Sequence, residues 1–355
     1  MSMTTPLRIA FGPAVCTSPA EGGDRKWLVA DGCGGYAMGT VCGLRTRRYH
    51  GLLAPAVGGP STRRLGLVAL DPVLMLPSGA SVRLGVHEWT GGAVAPAGHT
   101  FLKSFDLDDG LPRWRWRVGD VVLERELAMR HGYASLAVVH RLLAGGPVRL
   151  ALEALVTWRD AHGERYAGEP LPVEHGDGGA VAEGSFRLRG PGWTPAGDWY
   201  RGVHARLEAQ RRLNADEDVW LAGRFAADLA SAGDTLPVSA WAGDLTGERP
   251  PAVDVVAAAR ERVRSVDRTA TQVSCTTSLQ WPGWAHAAGP AARLLRRRRA
   301  DESCSRESAA SSCSRRPPPQ LVLAQARDVD LVQRRDDEIG VRGRQELLVV
   351  GSGQT

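Results

Sequence analysis

Three stretches concentrate side chains able to do chemistry. Arg45, Arg47, Arg48, Tyr49 and His50 place guanidinium forks, a ring face and an imidazole in one short run. Forks and aromatic faces suit hydroxyl-rich ligands, and histidine can donate or accept. The same residues can instead fix a loop by bonding carbonyls, and both uses stay open. Arg159, Asp160 and His162 close an apolar run behind Trp158; they can form a loop-fixing ion pair or meet a ligand or a second domain. Asp216, Glu217 and Asp218 precede Val219-Trp220-Leu221. Paired carboxylates are what glycoside hydrolysis uses, but acids adjacent in sequence more often cap a strand or turn.

The glycines of the Asp31–Gly35 run, DGCGG, could be mistaken for a phosphate cradle. They lack the Gly-Lys-Ser/Thr ending and no helical pattern follows, so a turn with positive φ is the expectation. The six cysteines, Cys16, Cys33, Cys42, Cys275, Cys304 and Cys313, contain no CxxC pair and no histidine spacing suited to zinc. No metal and no cofactor is expected.

The elements that must position these residues read as strands. WLVA from Trp27 precedes the glycine turn, and MGTVCG resumes extended structure. Leu65–Leu76 reads as strand, bend, strand, because Asp71-Pro72 splits two apolar runs. In RWRWRV, Trp114, Trp116 and Val118 fall on one face and Arg113, Arg115 and Arg117 on the other. Gly119-Asp120 is a hairpin turn into VVLERELAM, with Leu123, Leu127 and Met129 opposite Glu124 and Glu126. Ala134–Leu143 is nearly continuous in apolar character, and Pro147–Trp158 alternates; both read as central strands. Gly163–Gly184 is an exposed loop region holding a short hairpin. Many strands with brief turns define a mainly β fold, a large antiparallel sandwich, over residues 1–250.

The texture changes at Pro250-Pro251. Val253, Val256, Ala257, Arg260 and Val263 recur at helical spacing, predicting a helix over 251–267 that leaves the sandwich as a linker. Residues 268–355, with the Arg296–Arg299 run, lack periodicity and read as low-complexity, either disordered or the product of a coding-frame change.

Charge supports a neutral partner. Of the net +5, nothing resides in residues 1–267, which carry 30 Lys+Arg against 30 Asp+Glu; residues 268–355 carry 14 against 9. A neutral body in a chain of 11 tryptophans fits carbohydrate better than a polyanion. Nucleic-acid binding through the arginine tail is the lesser alternative. The N-terminus has no basic segment leading into a long apolar one, and no run approaches the roughly 20 residues of a membrane span. With unpatterned cysteines, a cytoplasmic location without membrane attachment is expected.

Three ordered blocks carry a family resemblance. WLVADGCGGYAMGTVCGLRTRRYHGLL (Trp27–Leu53), TWRDAHGE from Thr157, and the Trp199–Phe225 segment resemble the N-terminal domain of bacterial and archaeal glycogen debranching enzymes, the amylo-α-1,6-glucosidase type. The likeness spans about residues 20–265. It implies a β-supersandwich that precedes an (α/α) barrel, with glycogen or a branched α-glucan as substrate of the intact enzyme. In that family the barrel's acids hydrolyse the α-1,6 linkage, one protonating the leaving oxygen and the other activating water. No Gly-x-Asp-Trp-Gly-Arg-Asp-like motif occurs here, so no catalytic residue is assigned and the chain is expected to lack hydrolytic activity. Arg47, Arg48, Tyr49, His50, Arg159, Asp160 and His162 are the candidates for substrate or interdomain contact. An independent carbohydrate-binding module is the alternative.

Overall fold

The period-two segments pair as antiparallel ladders throughout the computed structural model, which describes residues 8–59 and 62–276. The first sheet has nine strands. Four hairpin-connected strands, Leu102–Asp108, Leu111–Val118, Val121–Met129 and Ser135–Ala144, run in order from the edge strand Ile9–Phe11. Thr235–Ala242 adds beside them from the far end of the sequence, followed by Phe186–Arg189, Gly179–Ala182 and Val173–Gly176. The last two are the hairpin expected within Gly163–Gly184.

The second sheet follows the order Thr194–His204, Asp216–Leu229, Val148–Asp160, Arg64–Met75, Gly51–Ala54, Tyr36–Thr40, Lys26–Ala30. Ser81–Arg83 pairs beside Arg64–Met75. Ser135–Ala144 and Val148–Asp160, both read as central, are central in opposite sheets, joined across Gly145-Gly146-Pro147.

The mainly β antiparallel architecture is therefore as the sequence indicates, and alternation explains it. Trp114, Trp116, Leu123, Leu127, Leu150, Leu152 and Phe225 all point into the layer between the sheets. Trp27 meets Trp114 edge to face at 5.1 Å. Their indole N–H groups donate to the carbonyls of Thr40 and Val41, each at 3.1 Å, so neither ring buries an unpaired donor. A second apolar cluster, including Tyr36, Met38, Tyr49, Val68, Leu155, Val219 and Leu221, lies on the opposite face of the second sheet. The candidate residues sit over this cluster.

Three expectations need correction. Leu65–Leu76 is not broken at Asp71-Pro72: one strand runs from Arg64 to Met75. Within a strand a residue's N and C=O face the same side. The Pro72 carbonyl faces Leu84, accepting its N–H at 2.7 Å, so the missing proline N–H removes no bond from the ladder with Val148–Asp160.

The helix, Ala252–Thr276, extends past the predicted limit at 267, since no glycine or proline interrupts the ladder before Pro282. Its N-terminal part also does not leave the sandwich. Ala252, Val255, Val256 and Ala259 pack on Leu111, Ala128, Ala137 and Val139 of the first sheet's outer face. The buried face is rotated from the predicted one: Val256 is buried as expected, but Val253 is 39% exposed and Ala257 is exposed. Alanines at several positions leave the apolar face ambiguous in sequence. The acids of the sheet select it: Glu126 pairs with Arg260, and Asp109 accepts from Arg264 Nε at 2.9 Å. The stretch read as tail beyond Thr276, with Cys304, Cys313 and the arginine run, lies outside the described residues.

Candidate functional site

The three blocks singled out in the sequence converge at one place. The Leu44–His50 segment crosses the second sheet between the strands Tyr36–Thr40 and Gly51–Ala54. The end of Val148–Asp160 brings Arg159 beneath it, and the start of Asp216–Leu229 brings Glu217. The short helix Arg206–Gln210 supplies Glu208 from the side.

At the centre, the Arg48 carbonyl accepts from two guanidiniums, Arg45 Nη2 and Arg159 Nη2, each at 2.6 Å. Both arginines also hold Glu217. Arg159 does so through Nε to Oε2 at 2.6 Å and Nη2 to Oε1 at 2.7 Å, and Arg45 Nη2 pairs with Oε1. Burial would raise the Glu217 carboxyl, but the Arg45 and Arg159 guanidiniums outweigh it and hold the group below the usual carboxylate range. Arg45 Nε donates to the His50 carbonyl at 3.0 Å, and Tyr36 Oη to the Tyr49 carbonyl at 3.0 Å. The loop's backbone is thereby tied to side chains from two strands, Tyr36 and Arg159, and through the arginines to Glu217 on a third.

The Arg48 side chain points outward and joins the remaining segments. Nη1 donates to the His162 carbonyl at 2.6 Å and pairs with Glu164 at 2.5 Å. Nη2 donates to the Asn214 carbonyl at 3.0 Å. The Arg48 N–H reaches Glu208 Oε1 at 3.3 Å. Arg45, Arg48 and Arg159 are thus matched by Glu164, Glu208 and Glu217, which balances these three cations within a largely buried site.

The other candidates divide by exposure. Tyr49 and His50 are buried at 5% and 1%, and Arg47 at 5%. Arg47 lies over the Tyr49 ring at 5.8 Å, while its Nε and Nη1 are buried with no hydrogen-bond partner. His50 is held well below the usual imidazole value by burial and then by Lys26, Arg45 and Arg47. Its Nδ1 accepts the Thr46 N–H at 3.4 Å. Asp160 and His162 are exposed, and Asp160 Oδ1 caps the turn by accepting the His162 N–H at 2.8 Å. Tyr166, 56% exposed, is linked to Arg48 through Asn214, whose amide donates to the Tyr166 hydroxyl and whose carbonyl accepts from Arg48. The structure therefore brings all seven together, Arg47, Arg48, Tyr49, His50 and Arg159 forming a largely buried base with the exposed Asp160 and His162 at its rim.

The acidic run behaves as three separate caps. Glu217 is gripped by arginines, Asp216 Oδ1 meets His204 Nδ1 at 2.7 Å, and Asp218 accepts the N–H groups of Gly202 and Ala167 at 2.6 and 2.7 Å. Glu208 escaped sequence reasoning because an acid in a short surface-like helix carries no signal of burial. At the glycine turn, Gly32 and Gly34 have φ of +81° and +95°, and Asp31 Oδ1 accepts from Cys33 and Gly35 N–H. This is turn geometry. Among the described residues no group of three or more His, Cys, Asp or Glu could hold a metal, and no helix is long and apolar enough to cross a membrane.

An antiparallel supersandwich of two large sheets, with an arginine-clamped loop on one face, defines the class. The family described as "Glycogen debranching enzyme N terminal" matches residues 25–235, more than half of the chain, which belongs to that family. The matched region contains all three blocks and the whole of the clamp. None of the curated proteins compared with the chain matches it.

Proposed function

We propose that this domain acts in the breakdown of glycogen or a related branched α-glucan as the non-hydrolytic wall of a cleft, beside an (α/α) barrel that carries the catalytic acids. The observation that carries this reading is the convergence of three separated segments on Arg48: its carbonyl accepts from Arg45 and Arg159, and its N–H and guanidinium reach Glu208 and the Asn214 carbonyl. So many buried charge-assisted bonds spent on one loop fix its geometry, and precise placement is what substrate positioning requires. The site offers an exposed ring, Tyr166, and the hydrogen-bonding side chains of His162 and Asp160, a combination that suits sugar faces and hydroxyls. The paired arginines and carboxylates of the base are consumed by each other, so no acid there is free to protonate a glycosidic oxygen. On this reading residues 1–250 form the sandwich domain, and the helix that follows carries the chain onward from the first sheet.

The test uses a family member that contains both domains, with substitutions at the positions corresponding to His162 and Tyr166. Alanine at either position is expected to leave the unfolding midpoint within error and to lower turnover of a branched limit dextrin at least tenfold. Unchanged turnover in both variants would remove the domain from the cleft. Purified protein of the present sequence is expected to release no glucose from the same dextrin. Glycogen retention by this protein that is equally strong at low and high salt would favour the independent binding module instead.

A further inference from the structure

The strands Gly51–Ala54 and Arg64–Met75 meet only through the Leu53–Leu67 pair. Beside that seam a cavity of about 70 Å³ reaches into the layer between the sheets. Its polar lining comes from Arg45, His50, Asp71, His87 and Arg125. Four of these have a buried nitrogen without a hydrogen-bond partner: Arg45 Nη1, His50 Nε2, His87 Nδ1 and Arg125 Nε.

Three of these atoms are donors; the fourth, His87 Nδ1, is an acceptor in a neutral ring whose Nε2 donates to Asp71. Guanidinium nitrogens only donate. The His50 Nδ1 accepts from Thr46, which assigns the ring hydrogen to Nε2 and makes that atom a donor as well. Asp71 is the acid on the wall, and its Oδ2 is already engaged by His87 Nε2 at 2.5 Å.

Arg125 is the most exceptional member. It occupies an inward position of Val121–Met129, between Leu123 and Leu127, where a sandwich core wants an apolar side chain. It lies 4.3 Å from the Trp114 ring centroid and 5.4 Å from that of Trp116. Among the described residues it makes no side-chain hydrogen bond and no ion pair. Burial lowers it to about 10 against the opposing pull of Asp71, so it stays cationic at neutral pH. Two indole faces supply attraction but no counter-charge, and Asp71, whose Oδ2 is engaged by His87, acts on it only through space. A buried cation without a hydrogen-bonded counter-charge is costly, so the cavity beside it is where compensation belongs.

We propose that this cavity is an anion site, taking a small inorganic anion of halide size between Arg125, Arg45 Nη1 and His50 Nε2. Its volume is several times the ~10–15 Å³ that a single water needs and well below the ~300 Å³ of ordinary small-molecule pockets, which excludes a sugar ring. Bound there, the anion bridges the Leu44–His50 loop of the second sheet to a central strand of the first. The proposal is independent of the glucan reading and stands or falls without it.

The test holds ionic strength constant and replaces gluconate, too bulky for the cavity, with chloride or bromide. Thermal unfolding of the full chain is expected to show a saturable rise of about 3–6 °C at a tenfold excess over the dissociation constant. Arg125→Gln is expected to abolish that rise, whereas Arg149→Gln, at a surface ion pair, is expected to keep it. Crystals grown in bromide should show an anomalous peak within hydrogen-bond distance of the Arg125 guanidinium. That last measurement needs no variant, so it decides even if Arg125→Gln fails to fold. A cavity holding only water in bromide, or an equal halide response in Arg125→Gln, overturns the proposal.

Discussion

Arg159 and Glu217 meet as a bidentate pair along one edge of the guanidinium, Nε to Oε2 at 2.6 Å and Nη2 to Oε1 at 2.7 Å, at side-chain exposures of 5% and 4%. The pair joins the end of one central strand to the start of its neighbour, and the spare capacity of each partner is used: Arg159 also holds the Arg48 carbonyl, and Glu217 also holds Arg45. Removing the carboxylate charge leaves two buried guanidiniums facing each other. Glu217→Gln is therefore expected to cost about 3–5 kcal/mol in urea unfolding, far more than an exposed pair is worth. A cost under about 1 kcal/mol in that titration would show that the clamp is not a stabilising element.

The docking of the Ala252–Thr276 helix makes a separate prediction. Val256 is 5% exposed against Ala128, Ala137 and Val139, and the surrounding sheet positions include Glu124 and Glu126. Val256→Asp places a carboxylate in an apolar contact beside like charges, which favours release of the helix over its retention. Hydrogen exchange should then lose protection across residues 252–263 while the Val121–Met129 strand keeps its own. Equal loss in both would mean that helix and sheet unfold as one unit.

What the sequence made legible follows from where side-chain period and burial coincide. RWRWRV could be read as a strand with its faces assigned because its two faces differ in chemistry, and the structure buries Trp114, Trp116 and Val118 as that pattern requires. The helix was legible in type but not in phase, because small residues on several sides leave the choice of face to ion pairs contributed by distant strands. Pro72 misled because a proline breaks a strand only where its absent N–H is needed. At the candidate site, residue types pointed to Arg45–His50 and Arg159–His162. Their joining through Glu217 and Glu208 was hidden, since a contact between residues 58 or 160 positions apart has no local pattern. Arg125 falls by parity on the inward face with Leu123 and Leu127; what was hidden is the pair of indole faces that the neighbouring strand brings to it.

The buried histidines set an acid limit on stability. His50 and His140 are both held well below the ordinary imidazole value, first by burial and then by nearby cations, Lys26, Arg45 and Arg47 for the former and Arg125 for the latter. A depressed folded value means that the unfolded chain binds protons more readily. The stability contribution is complete above about pH 6.5 and is lost as pH falls toward the folded values. Each group alone gives a slope of up to about 1.4 kcal/mol per pH unit below that point. The sharper probe is His140, at 0% exposure with neither ring nitrogen bonded. His140→Leu is expected to flatten the loss between pH 6.5 and 5 relative to the parent. An unaltered profile in equilibrium unfolding across that range would assign the acid sensitivity elsewhere.

The glycine turn gives the most local test. Gly35 carries no positive φ, so its requirement is one of space. A Cβ there would lie 2.3 Å from Asp31 Oδ2 and 3.0 Å from the Ala54 carbonyl. Asp31 cannot retreat, because its Oδ1 holds the N–H groups of Cys33 at 2.7 Å and of Gly35 itself at 2.9 Å. The Ala54 carbonyl belongs to a strand that pairs with Tyr36 and cannot move without opening that ladder. Gly35→Ala must therefore break either the Asp31 turn or the adjoining pair, at a cost of about 1–3 kcal/mol for overpacking plus a lost charge-assisted bond. Gly12→Ala is the matched control: nothing lies within 4 Å of the added carbon, and its φ of −88° suits any residue. The two variants should differ by more than about 1 kcal/mol in urea unfolding. If they do not, close backbone approach is not why glycine stands at position 35.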